Sequence, residues 1–99
     1  MGAFRSFLFT PGNHPRRVAK VFNAGADVAI LDLEDAVAIA EKPATRAQIV
    51  TALQAPRPCL GYVRVNAYDT DFCFRDLVEV VCPALDGIVL PKVESADQV

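Results

Sequence analysis

The chain has 99 residues, 53% of them hydrophobic, and a formal net charge of −2. That composition is globular rather than disordered, and the charge leaves no global basic field for nucleic acid. No apolar run approaches a membrane span, the first residues lack the apolar stretch of a signal peptide, and there is no Cys/His spacing of a zinc finger.

Short apolar runs alternate with amphipathic stretches. Residues 6–10 read as a first strand, with Phe7, Leu8 and Phe9 at its centre, ended by Pro11-Gly12-Asn13. Pro15 suits the first turn of a helix whose apolar face is Val18, Ala19, Val21 and Phe22, and Gly25 is its expected stop. Val28 to Leu31 is a continuous apolar run, as in a strand buried on both faces, and leads into Asp32-Leu33-Glu34-Asp35. Residues 43–54 form a second helix with Ala47, Val50 and Leu53 on its apolar side. Residues 60–65 are a third strand. Asp69, Thr70 and Asp71 offer caps for a third helix, in which Phe74, Leu77, Val78 and Val81 recur at helical spacing. Residues 86–93 are a fourth strand, and Ser95 caps the start of a fourth helix. The order βαβαβαβ implies a parallel sheet with right-handed crossovers. A whole (β/α)8 barrel takes about 250 residues. The expectation is therefore that residues 1–99 are the N-terminal half, about four βα units, of a single truncated barrel domain.

Parallel α/β folds carry their chemistry at the carboxyl ends of the strands. Each strand here turns polar at that end: Thr10 to Asn13, then Asp32, Glu34 and Asp35, then Arg64 and Asn66, then Lys92 and Glu94. Period two puts Asp32 and Glu34 on one face, Arg64 and Asn66 on one face, and Lys92 and Glu94 on the face of Ile88 and Leu90. If the charged set points to the barrel axis, carboxylates, an arginine and a lysine meet at one mouth. Charges gathered there suit an anionic substrate held with a divalent cation. Taken singly, the same residues read as a solvated loop, a structural ion pair or a solvated strand end. Arg16, Arg17 and Lys20 add a basic patch on the first turns of helix one, either a phosphate site or a solvated face.

Four segments in order, RSFLFTPG (5–12), ILDLEDAV (30–37), VRVN (63–66) and GIVLPKVES (87–95), resemble the citrate lyase beta-subunit-like proteins. These are relatives of malyl-CoA and citramalyl-CoA lyases in the HpcH/HpaI aldolase group. The resemblance implies a barrel and Mg2+-dependent carbon–carbon cleavage or condensation of a 3-hydroxyacyl-CoA-type substrate. The keto-acid product would be of the oxaloacetate, glyoxylate or pyruvate class. It implies that Arg64 grips the substrate carboxylate and that Glu34 and Asp35 lie beside the metal, contacting its waters. It also implies that Arg17 and Lys20 stand near the CoA phosphates, with Lys92 a further substrate contact. The direct metal ligands of the family come from later strands, so none is expected among these residues, and residues 1–99 alone are expected to be inactive.

Two other readings compete: a receiver-like doubly wound signalling domain and a non-catalytic half-barrel used for assembly. The first needs an acidic phosphoacceptor at the end of strand three, where Arg64-Val65-Asn66 stands. Cys59, Cys73 and Cys82 lack any CxxC pair and read as free thiols, which suits a cytoplasmic protein. A homo-oligomer is expected, with small-molecule substrates, no nucleic acid and no membrane.

Overall fold

The structure is a computed structural model that describes residues 6–34, 36–67 and 69–91. Its elements are β1 (Phe7–Pro11), α1 (Pro15–Phe22), β2 (Val28–Asp32), a 3₁₀ turn (Ile39–Glu41), α2 (Lys42–Gln54), β3 (Leu60–Arg64), α3 (Asp71–Val80) and β4 (Gly87–Val89). The strands form one parallel sheet in the order β1-β2-β3-β4. A receiver-like doubly wound sheet would place its second strand outside its first, so that alternative is excluded. Sequential order is that of a barrel wall. Among the described residues no helix is long and apolar enough to cross a membrane.

Register decides which side chains share a face. Phe9, Ile30 and Tyr62 stand level, as do Pro11, Asp32 and Arg64 one step further along. The opposite face carries Ala29, Leu31 and Val63, which pack with Val18, Val21 and Phe22 of α1 and Ile49 and Leu53 of α2. The helices therefore cover one face only. On the other, which would face a barrel axis, Phe7 and Phe9 are exposed. All five residues of β2 are buried, as its continuous apolar run demands of a central strand.

Gly12 closes β1. Its N–H donates to the Asp32 carbonyl at 2.9 Å, and a Cβ there would lie 2.5 Å from Ile49 Cδ1. Glycine lets α2 approach the strand end that closely.

Four expectations need correction. Helix α1 stops at Phe22, capped at Asn23, and Gly25 with φ +88 turns the chain only after that. Ala47 is exposed; the buried side of α2 is Lys42, Thr45, Arg46, Ile49 and Leu53, because buried Asp76 of α3 receives Arg46 and the strand ends at Leu33, Glu34 and Asn66 receive Lys42. Phe74, Leu77, Val78 and Val81 are exposed, while Cys73, Asp76 and Val80 are buried. Helical spacing identified an apolar stripe on α3, but that stripe turns away from this sheet. Ile88 stands level with Val63 and packs, with Leu90, on the helix-covered core rather than on the inner face. Lys92, Glu94 and the Ser95 cap lie outside the described residues.

Candidate active site

The carboxyl end of β2 organises the site. Asp32 is buried, and its side chain collects four hydrogen bonds. Oδ1 accepts from the backbone N–H of Glu34 at 3.0 Å and from Arg64 Nε at 2.8 Å. Oδ2 accepts from the N–H of Ala36 at 2.9 Å and from Arg64 Nη2 at 3.0 Å. The chain after β2 thus wraps around its own carboxylate, a local turn that aspartate favours. Burial alone would raise the Asp32 pKa, but the hydrogen bonds from Arg64, Glu34 and Ala36 outweigh it and hold the carboxyl below its ordinary value.

Arg64 reaches this carboxylate because the two residues are register partners on adjacent strands. The planar guanidinium meets it with two parallel bonds, the geometry in which such pairs are strongest. The same guanidinium lies 5.2 Å from the Phe9 ring centre, and its Nε is 3.7 Å from Glu34 Oε1. Phe9, Thr10, Pro11, Asp32, Ala36 and Arg64 line a hollow of about 210 Å³ at this end of the sheet. Glu34 and Arg64 are therefore together; Asp35, the third acidic residue named from the sequence, lies outside the described residues.

Asn66 departs from the expected face. Past the end of β3 the alternation is lost, and Asn66 turns into a buried polar cluster between α2 and α3. Its N–H and Nδ2 both donate to Asp76 Oδ2 at 2.7 Å, and its Oδ1 accepts from Lys42 Nζ at 2.8 Å. Lys42 Nζ also donates to the carbonyls of Leu33 at 2.6 Å and Glu34 at 2.9 Å, with its charge 5.6 Å from the Phe72 ring centre. Arg46 Nε completes the cluster on Asp76 Oδ1 at 2.8 Å. Sequence reasoning missed this cluster. A signal existed: Lys42 and Arg46 sit one turn apart at the start of α2, where positive charge opposes the helix dipole and calls for a specific partner.

Arg17 and Lys20 are exposed on α1 and line a neighbouring hollow, on the other side of β1, with Leu8, Phe9, Thr10 and Pro11. Cys59, Cys73 and Cys82 are free. Burial, and then the charge of Asp76, raise the Cys73 thiol pKa, the opposite of what a nucleophile needs.

No three His, Cys, Asp or Glu side chains among the described residues converge to hold a metal ion. Asp32 already accepts four bonds. The described residues do not supply a direct ligand set for such an ion.

The chain is 41% identical over 97 residues to citrate lyase subunit beta of Escherichia coli (strain K12), covering 96% of this chain and 32% of that protein. It is 42% identical over 101 residues to the L-malyl-CoA/beta-methylmalyl-CoA lyase of Cereibacter sphaeroides, covering 96% and 31% respectively. Among solved structures, Mycobacterium tuberculosis CitE in complex with magnesium, acetoacetate and coenzyme A superposes with a TM-score of 0.83 at 44% identity, over 99% of this chain and 36% of that one. The chain thus spans about a third of the length of the relatives it matches, and its sheet is one part of a barrel-type α/β fold. Residues 5–99 match the HpcH/HpaI aldolase/citrate lyase family, and the chain belongs to that family.

Proposed function

We propose that residues 1–99 are the amino-terminal part of a carbon–carbon lyase that cleaves or forms 3-hydroxyacyl-CoA-type thioesters, with a keto acid as the other product. The observation that carries this reading is the Asp32–Arg64–Glu34 constellation at the carboxyl end of the sheet. It is joined by what relatives bind: CitE of M. tuberculosis has been solved with magnesium and pyruvate and, as citrate lyase beta subunit, with oxaloacetate and magnesium.

Cleavage breaks the bond between the thioester α-carbon and the hydroxyl-bearing carbon. The hydroxyl proton leaves, the C–O bond becomes a carbonyl, and the electron pair of the broken bond passes to the thioester as an enolate, which is then protonated. The keto acid keeps its carboxylate throughout. In our reading Arg64, oriented by its paired bonds to Asp32, binds that carboxylate and fixes the reacting carbons. Glu34 and Asp35 would contact the waters of a bound cation. Mg2+ is the proposed cofactor; carboxylates of the complete protein beyond these residues would hold it, and when bound it would supply positive charge to offset that of the enolate. Arg17, Lys20 and Lys92 contribute positive charge toward the CoA moiety and the substrate.

The test uses the complete protein. Incubation with malyl-CoA or a related thioester and Mg2+ should release keto acid, trapped as its hydrazone, and a chelator should abolish release. Absence of turnover together with absence of keto-acid binding would overturn the proposal in favour of a non-catalytic assembly role.

A further inference from the structure

The segment 32–36 carries the acidic side chains of the site, and it is held from two sides. From the sheet side, the Asp32 carboxylate accepts the N–H groups of Glu34 and Ala36. From the helix side, Lys42 donates to the carbonyls of Leu33 and Glu34. The third acceptor of Lys42 is Asn66, two residues beyond Arg64. One ammonium therefore ties the end of β2, which leads to Glu34, to the end of β3, which carries Arg64.

The placement is costly in isolation. Lys42 is 4% exposed, and an ammonium at that depth is stable only with its donors satisfied. It also stands in the first turn of α2, against the helix dipole. A core-filling side chain would avoid both penalties. What lysine adds is a rigid three-way tie between two strand ends, set behind the residues that face the hollow. Asn66 is itself fixed, since Asp76 accepts its N–H and side-chain amide and is held in turn by Arg46.

Resting on the lyase reading above, we infer that Lys42 is a positioning residue for that site: through Leu33, Glu34 and Asn66 it sets Glu34 relative to Arg64. It touches neither substrate nor cation. A displacement of about 1 Å at such a group costs on the order of 100-fold in rate.

The complete protein would be compared with its Lys42→Met variant, using Arg57→Met as comparator. Arg57 is a part-buried cation at the other end of the sheet, bonded to the carbonyls of Leu53 and Ala84 and to Asp86. In Lys42→Met the amides of Glu34 and Ala36 should exchange hydrogen about tenfold faster or more, and kcat should fall about 100-fold with little change in KM. Arg57→Met should lower the melting temperature while leaving those amides and kcat as they were. Added to Glu34→Gln, Lys42→Met should give little further loss of kcat, since both act through one side chain. Asn66→Ala, which retains Lys42, covers the case of a poorly folding Lys42 variant and should loosen the same two amides. Unchanged exchange at Glu34 and Ala36 in the Lys42 or Asn66 variant overturns the inference, and so does equal loss of kcat in Arg57→Met. If the wild-type protein shows no turnover, the lyase reading fails, while faster exchange at those amides still establishes the clamp.

Discussion

Asp32→Asn tests the electrostatics at the centre of the site with almost no change of shape. The carboxylate has two acceptor oxygens, each receiving one backbone N–H and one guanidinium nitrogen. Asparagine keeps one acceptor and turns the other position into a donor, which then faces one N–H and one Arg64 nitrogen. A hydrogen bond to a charged group contributes about 1.5–3 kcal/mol, and a buried donor left unsatisfied costs about 1–3 kcal/mol. Arg64 is partly exposed, 26% at its side chain, so solvent recovers part of the first loss. The expected destabilisation is about 3 kcal/mol, a large share of a typical domain stability of about 5–15 kcal/mol. Its pH dependence has a definite sign. The folded pKa of Asp32 lies below the ordinary value. Its contribution is therefore fully present above the unfolded carboxylate pKa, about 3.9, and is lost as pH falls through the lowered folded value. Urea unfolding of wild type and variant across the acid and neutral range is the assay. The gap should be full near neutrality and should narrow only in the acid range below about pH 4. A gap under about 1 kcal/mol at neutrality, or one that is constant with pH, would refute the reasoning.

Two predictions concern residues 1–99 as a separate polypeptide. Titration calorimetry should show no micromolar Mg2+ binding, and the polypeptide should have no lyase activity; tight binding lost on Glu34→Gln would show that Glu34 is a direct ligand. Sedimentation should show self-association, because Phe7, Phe9, Phe74 and Val78 are exposed and, among the described residues, β1 and β4 are the edge strands of the sheet; a cooperatively unfolding monomer at high concentration would contradict this.

Much of the fold was legible because its signals are local. The unbroken Val28–Leu31 run marked the central strand, Pro15 marked the start of α1, and the polar ends of strands two and three marked where Asp32, Glu34 and Arg64 meet. Period two also put Asp32 and Arg64 at corresponding strand ends, but it could not reveal that they are register partners, since register is a property of two strands. The face of α3 was misread for a related reason. Spacing reports that an apolar stripe exists, not what it packs against, and here buried Asp76 turns toward Arg46 and Asn66 while Phe74 and Val78 turn away. Asn66 was misplaced because alternation holds only while a strand continues, and β3 ends at Arg64. Lys42 and Arg46 were passed over because charged residues on a helix usually face water, and only tertiary partners make them interior.

Arg64 carries the central claim, and kcat/KM of the complete protein against its Arg64→Ala variant tests it most directly. Two charge-assisted bonds to a substrate carboxylate contribute about 3–5 kcal/mol together, which corresponds to a loss of roughly 10²–10⁴-fold. Arg64→Lys should recover little of it, since an ammonium lacks the planar fork. The account predicts that loss in a variant that remains folded at the assay temperature; turnover equal to wild type would contradict it.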